Sequence, residues 1–344
     1  MRLKRKFRRR LILAFMLLIA AGAGFLYTLL WVPNRFSEDK VIIVSKGESF
    51  HSVVSSLEDA GILRSRWSFV TAGRILGLTT KMQIGKYRFH SGMTNKDILE
   101  DLQSGKSTEL ISVTIPEGLR ATRHAQIFAR RLGLDSSRFM ELVYDDDLIA
   151  DLGVRARNLE GYLLPNTYTF YWQTDEEDIL KQMVAACLTQ FTDSVLSSLK
   201  RNGRTIGEVL TLASIVESET SIDSERPLVA GVYINRLRKR MRLEADPTIQ
   251  YILPDGPRRL YFSDLKVESE YNTYLRYGLP PGPINNPGVA SIRAAIAPAT
   301  NNYLFFVADG KGGHTFTRTF DEHRKAIKQL RRFRDFRELV RQEG

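Results

Sequence analysis

Glu217 is a carboxylate on a stripe that should be apolar. The segment Thr205–Glu217 reads as an amphipathic helix in which Ile206, Leu210, Ala213 and Glu217 recur at i, i+4, i+7 and i+11. An acid on that stripe loses hydration, which favours its protonated form. A carboxyl group held protonated near neutral pH can serve as a general acid. The same spacing fits a buried acid paired with an arginine, or a helix end where the stripe meets water. The neighbouring carboxylates read differently. Glu208 stands three residues after Thr205 and completes a Thr-x-x-Glu capping box, a structural role. Glu219 falls on the polar face with Glu208, turned away from the face of Glu217. Glu244 and Asp246 could approach the helix only through the tertiary fold. Glu217 is therefore expected to have no sequence-adjacent carboxylate partner.

Other chemistries find no motif. There is no His-Glu-x-x-His pair, and the five histidines are scattered. Gly310–His314 is Gly-rich but lacks the Gly-Lys-Ser/Thr of a phosphate cradle, and reads as a hairpin turn. No Gly-x-Ser-x-Gly elbow is present. Cys187 is the single cysteine, so neither an intrachain disulfide nor a cysteine zinc site can form. No metal and no cofactor is expected. Polar and aromatic residues that could hold a sugar chain follow Glu217: Asn235, Gln250, Tyr251, Tyr274 and Asn286. The last belongs to a Pro- and Gly-rich stretch, residues 278–288, that reads as a stiff loop. Such loops suit a binding cleft, and equally a long structural connection.

The elements that must position these residues begin with an anchor. Leu11–Val32 carries no charge and would span about 33 Å as a helix. Seven basic residues precede it within residues 1–10, and Asn34, Arg35, Glu38 and Asp39 follow. That bias places the N-terminus in the cytoplasm and the rest of the chain outside. The small residues Ala20–Gly24 also admit a cleaved signal peptide, but the apolar run continues past them to Trp31, which favours an uncleaved anchor. Of the net charge of +11, the seven N-terminal residues supply most, leaving +4. The basic balance is thus no argument for nucleic acid.

Beyond the anchor, Val41–Val44 reads as a strand, followed by a turn at Gly47 and a helix capped by Ser49 with Phe50, Val53, Val54 and Leu57 on one face. A second helix covers about 67–76, and residues 85–89 form a strand. Thr94 and Asp97 resemble a capping box. Residues 111–118 restart the strand-turn pattern about 70 residues after Gly47, a weak internal echo. The larger unit begins near Asn158, with helices expected at about 178–200, 205–220, 226–240 and 288–297. A hairpin of Leu304–Val307 and His314–Thr317 follows. A basic helix runs from Asp321 with apolar Ile327, Leu330, Phe333, Phe336 and Val340. The expected fold class is α+β. The divisions are a basic cytoplasmic segment (1–10), an anchor (11–32), a small βααβ subdomain (40–108), a second β-turn-α connector (109–157) and a larger mixed α/β domain (158–344).

The βααβ segment resembles a LysM module, a small fold that grips N-acetylglucosamine polymers; Trp67 and Tyr87 are its candidate sugar platforms. A more specific resemblance runs along the rest of the chain. Glu160-Gly161-Tyr162-Leu163-Leu164-Pro165-Asn166-Thr167-Tyr168 resembles the signature Glu-Gly-Tyr-Leu-Phe-Pro-Asp-Thr-Tyr of the MltG (YceG-like) endolytic murein transglycosylases, with Leu164 and Asn166 replacing the commoner Phe and Asp. Leu212–Glu217, Asp246–Tyr251, Tyr271–Tyr274, Gly278–Ile284 and Gly312–Phe316 continue the likeness in order.

The resemblance implies cleavage of the β-1,4 bond between N-acetylmuramic acid and N-acetylglucosamine within peptidoglycan strands. No water is added. The muramoyl C6 hydroxyl attacks C1 and leaves a 1,6-anhydro end. Two carboxylates serve ordinary glycosidases, whereas here the nucleophile belongs to the substrate and one glutamate suffices, by resemblance Glu217. Asn235, Gln250, Tyr251, Tyr274 and Asn286 would orient the sugar. A lysozyme-type hydrolase and a non-catalytic glycan-binding scaffold are the alternatives. The family also implies a single-pass inner-membrane enzyme that ends nascent strands beside penicillin-binding proteins.

Overall fold

The structure is a computed structural model that describes residues 2–80, 82–254, 256 and 258–343, with side chains described from 6 to 333 within those ranges. The chain folds as two compact units, Met1–Ser112 with Thr169–Thr174, and Val113–Tyr168 with Asp175–Gly344.

The first unit runs α1 (Arg2–Leu30), β1 (Lys40–Val44), α2 (Phe50–Asp59), α3 (Arg66–Leu76), β2 (Gly85–Phe89) and α4 (Asn95–Ser104). The βααβ order follows the sequence pattern. β1 and β2 pair antiparallel, Lys40 opposite Phe89 and Val44 opposite Gly85. Ser49 caps α2 by accepting from the Ser52 N–H, and Thr94 and Asp97 form the capping box of α4. Phe69, Phe89, Ile98, Leu99 and Leu102 fill the core between strands and helices. Tyr87 lies in that core too, fully buried, its hydroxyl donating to the Gln83 carbonyl at 2.7 Å. It is therefore packing and not the sugar platform expected of it, because its β2 position faces the helices. Lys6–Leu30 is long and apolar enough to cross a membrane. Its last residues, Leu29 and Leu30, are buried in the core of this unit.

β3 (Ile111–Thr114) is followed by α5 (Ala121–Leu132), α6 (Ser136–Val143) and α7 (Asp146–Asp151). β4 (Thr167–Phe170) forms a two-stranded sheet with β3. The rest is α8 (Glu176–Leu188), α9 (Asp193–Arg201), α10 (Ile206–Glu219), α11 (Arg226–Arg238), α12 (Asp246–Ile252), α13 (Val289–Ile296), β5 (Phe305–Ala308), β6 (His314–Thr317) and α14 (Phe320–Glu343). Residues 109–157, expected as a separate connector, mostly join the second unit. α5 packs on α6 through Phe128 and Phe139, with ring centroids 5.8 Å apart, and α6 packs on α8. The single helix expected over 178–200 is two, because the chain turns after Leu188 to bury Phe191 before α9 starts. β5 and β6 pair as the expected hairpin, Phe305 opposite Thr317. Along α14, Ala326 and Leu330 are buried, while the side chains of Phe336 and Val340 lie outside the described residues.

The centre of the second unit is α10. It packs against α11, α12 and α13, and every residue from Val209 to Val216 is buried. The expected amphipathic stripe is thus a helix buried on all sides along its middle, which is how a central helix reads. Thr205 and Glu208 close its N-terminus in the expected capping box. The buried run ends at Val216, and the last turn of α10, with Glu219 half-buried, borders open space.

Candidate active site

The last turn of α10 presents Glu217 and Glu219 in two different settings. Glu217 Oε2 accepts from Arg226 Nη1 at 3.0 Å and from the Gly288 N–H at 3.0 Å, and its side chain is 7% exposed. Arg226, at the start of α11, also holds Asp223 at 3.0 Å and donates to Ser291 Oγ. Glu117 lies on the far side of this arginine at 4.0 Å. A Cβ at Gly288 would meet the Glu117 carboxylate, so the glycine lets that side chain lie close to the loop. Partial burial, and then the charge of Glu217, raise the Glu117 carboxyl above its ordinary range. The Glu217 carboxylate is thus engaged by an arginine and a backbone donor and committed to the fold.

Among the described residues, Glu219 has no arginine partner within ion-pair distance. Its Oε1 accepts from the Tyr233 hydroxyl at 2.6 Å, with Tyr233 buried on α11 one layer behind it. Burial pushes the Glu219 carboxyl up to about 7. The Tyr233 hydrogen bond pulls against that shift, the charge of Asp246 adds to it, and His314 and Arg236 oppose it. Glu219 and Asp246 both border two cavities. One, of about 610 Å³, is further lined by Arg120, Arg123, Gln250 and Tyr251. The other, of about 270 Å³, takes in Tyr233, Arg236, Glu244, Tyr274 and Phe306. The acid thus stands on the wall shared by two cavities. Glu217 is in neither lining.

The structure sorts the expected binding residues by what their polar atoms already do. Tyr251 lines the larger cleft, its ring centroid 4.8 Å from that of Tyr271 in a tilted pair and covered by the Arg120 guanidinium at 4.5 Å. Gln250 lines the same cleft, but its side-chain amide is spent on the backbone of Arg258 at both ends. Tyr274 borders the smaller cavity and donates to Asp246 Oδ1 at 2.5 Å. Asn235 is not at the groove; its Nδ2 donates to Asn301 and Tyr303, fastening α11 to the chain before β5. Asn286 is fully buried. Its Nδ2 donates to the Leu119 carbonyl at 3.0 Å and to Glu160 Oε1 at 2.6 Å, and its Oδ1 accepts from the Gly161 and Leu163 N–H groups. In both asparagines the side-chain amide is hydrogen-bonded within the fold.

Sequence reasoning passed over Glu219, Tyr233, Arg120 and Arg123. Only Glu219 left a signal, as a second acid in a Glu-x-Glu helix end; its setting depends on α11 and α12, which pack on α10. Loop 278–288 is the expected stiff segment. It is strapped to α10 by Ile284 N–H to Ser214 Oγ at 3.0 Å and Asn285 Nδ2 to the Ser214 carbonyl at 2.9 Å.

A mixed α/β chain with a carboxylate-centred polar groove and an apolar N-terminal helix is the class that fold and site define. The model of the YceG-like family matches residues 42–329, and the chain belongs to that family. It is 32% identical over 323 residues to the endolytic murein transglycosylase of Bacillus subtilis (strain 168), covering 89% of each chain. It is 29% identical over 340 residues to the endolytic murein transglycosylase of Streptococcus pneumoniae (strain D39), where the match covers 88% of this chain and 61% of that relative. Among solved structures, a yceG-like protein from Listeria monocytogenes superposes with a TM-score of 0.59 at 30% identity, covering 84% of this chain and 98% of that one.

Proposed function

We propose that the chain is an endolytic murein transglycosylase whose general acid and base is Glu219, not Glu217. The observation that carries the reading is the Glu219 carboxyl, raised to about 7 and bordering two cavities that it shares with Asp246. A neutral carboxyl group on a wall shared by two cavities suits a cut within a strand. Protonated Glu219 donates to the glycosidic oxygen as the C1–O4 bond breaks. The carboxylate it leaves accepts the proton of the muramoyl C6 hydroxyl as O6 bonds to C1. The acid is thereby restored and no water is consumed. Arg120 and Arg123 on the cleft wall suit the carboxylates of the stem peptides that muramoyl residues carry. Glu217, with Arg226 and Gly288, holds loop 283–288 against α10 and so shapes the groove floor.

Asp246 supports a second reading. It shares both cavities with Glu219, and a second carboxylate is what a lysozyme-type hydrolase would need to hold a substrate-attacking water. Digestion of purified peptidoglycan by the full chain in detergent, with mass analysis of the ends, separates the two. Anhydro ends support transglycosylation, and reducing ends alone move the reading to hydrolysis. In the same assay Glu219→Gln is expected to lose roughly 10²–10⁴ in rate. Glu217→Gln should lower stability and keep activity per folded molecule within about tenfold. The reverse pattern would return the role to Glu217.

The anchor extends the reading to a single-pass protein of the cytoplasmic membrane, with the groove outside, where peptidoglycan is. Action on nascent strands beside penicillin-binding proteins is its finest part, and co-purification of the full chain from crosslinked membranes tests it. The LysM likeness of residues 40–108 likewise remains part of the proposal.

A further inference from the structure

The end of α1 is not a free stalk. Leu29 and Leu30 are core residues of the first unit, the Arg64 guanidinium donates to the Thr28 carbonyl at 2.8 Å, and Asn95 Nδ2 donates to the Leu29 carbonyl at 2.7 Å. From Lys6 to Tyr27 the helix is exposed, Phe15, Leu18, Phe25 and Tyr27 included. Lipid can therefore cover it only up to the point where the unit's polar groups begin. Leu11 to Tyr27 spans about 26 Å of helix, short of the roughly 30 Å of a bilayer core. At the inner end, Arg8, Arg9 and Arg10 can snorkel to make up length. At the outer end the unit itself fixes the limit.

Trp67, in the first turn of α3, is 62% exposed, and its ring lies 6.1 Å from that of Phe25. Phe25 sits within the apolar stretch, one helical turn or about 6 Å before Leu29. That rise is comparable with the headgroup layer, which adds roughly 5–7 Å on each side of the core. A bilayer that covers Phe25 thus covers Trp67 as well. Tyr27 and Trp31, stacked at 6.2 Å, follow about 3 and 9 Å further along the axis, and tyrosine and tryptophan are the residues that settle at membrane interfaces.

We propose that the first unit is seated in the outer headgroup layer of the membrane that α1 spans, with Trp67 inserted beside Phe25, so that lipid and not glycan covers that ring. The proposal rests on the reading of α1 as a membrane anchor. The seat makes the βααβ unit a collar with a fixed depth, in place of a sugar platform on a flexible tether.

The test uses the full chain in nanodiscs of phosphatidylcholine and phosphatidylglycerol, with acyl chains brominated near the glycerol end or unbrominated. The chain has three tryptophans, and W31F/W172F leaves Trp67 as the sole emitter. Bromination is expected to quench its emission by about half or more, as for interfacial tryptophan. A control with F15W in a W31F/W67F/W172F background reports on the anchor alone. Quenching in the F15W control without quenching of Trp67 would overturn the seat and leave the anchor standing. Absence of quenching in both would end the anchor reading and the seat together. A second comparison, wild type against W67F, reads the same ring without altering Trp31 or Trp172; the difference between the two spectra is the Trp67 emission, and no quenching of that difference would also overturn the seat. A change in Trp67 emission on adding soluble muropeptides to unbrominated discs would assign the ring to sugar.

Discussion

The Tyr233 hydroxyl, 2.6 Å from Glu219 Oε1, is the nearest hydrogen-bond donor acting on that carboxyl among the described residues. It stabilises the ionised form, so removing it should raise the Glu219 pKa further above about 7. Other groups facing Glu219 are Asp246 from α12, Arg236 from α11 and His314 from β6, with Tyr274 beyond Asp246. If Glu219 acts as the acid, kcat/KM falls as pH rises through its pKa. In Tyr233→Phe that alkaline limb is expected to move up by about one pH unit. A purely structural tyrosine would lower activity and leave the limb in place. The same carboxyl also bears on stability. A folded-state pKa raised from 4.5 to about 7 imposes a cost that is absent below 4.5, grows as pH rises towards 7 and is complete above it. The full cost is up to about 3 kcal/mol. Glu219→Gln should therefore melt higher than wild type at pH 8 and close to it at pH 4.5, measured by thermal unfolding.

At the scale of elements, the groove depends on how loop 283–288 is held to α10 and to the Glu160 segment. Asn286 satisfies two N–H groups and two acceptors in a fully buried position. Asn286→Ala leaves all four without that partner and should cost about 2–4 kcal/mol, read as a fall in the denaturant midpoint with activity lost only as the protein unfolds. A direct sugar contact would instead raise KM with no change in midpoint. The helices themselves were largely legible: Ser49, Thr94 and Thr205 announce α2, α4 and α10 because an N-terminal cap is a local bond between residues three apart. The break between α8 and α9 was not, because burial of Phe191 is a tertiary event with no signature in a helical-looking run.

For the whole molecule, the anchor and the first unit form one folded piece. Leu29 and Leu30 belong to its core, and Arg64 and Asn95 bond to the last carbonyls of α1. A chain begun at Pro33 removes two buried leucines, each worth about 2–5 kcal/mol by truncation data. It should show a low-temperature unfolding transition for the first unit in calorimetry that a chain begun at Phe25 does not show. Equal melting of the two would mean that the end of α1 only rests on the unit.

Several features of this protein followed from sequence by itself. The uncharged run from Leu11 to Val32, the βααβ order, the β5–β6 hairpin and the family motifs each depend on neighbours in the chain or on short ordered segments. Tertiary structure alone decided which acid lies in the groove. Glu217 and Glu219 are two residues apart on one helix, and periodicity favours the first because its stripe is apolar. That argument holds for a helix with one wet face. α10 has none along its middle, so the choice passes to the partners the fold supplies: Arg226 and the Gly288 N–H hold the Glu217 carboxylate, while Glu219 borders two cavities and takes a single tyrosine donor among the described residues. The protonation state of a carboxyl group is set by such neighbours, and no spacing within the helix carries them.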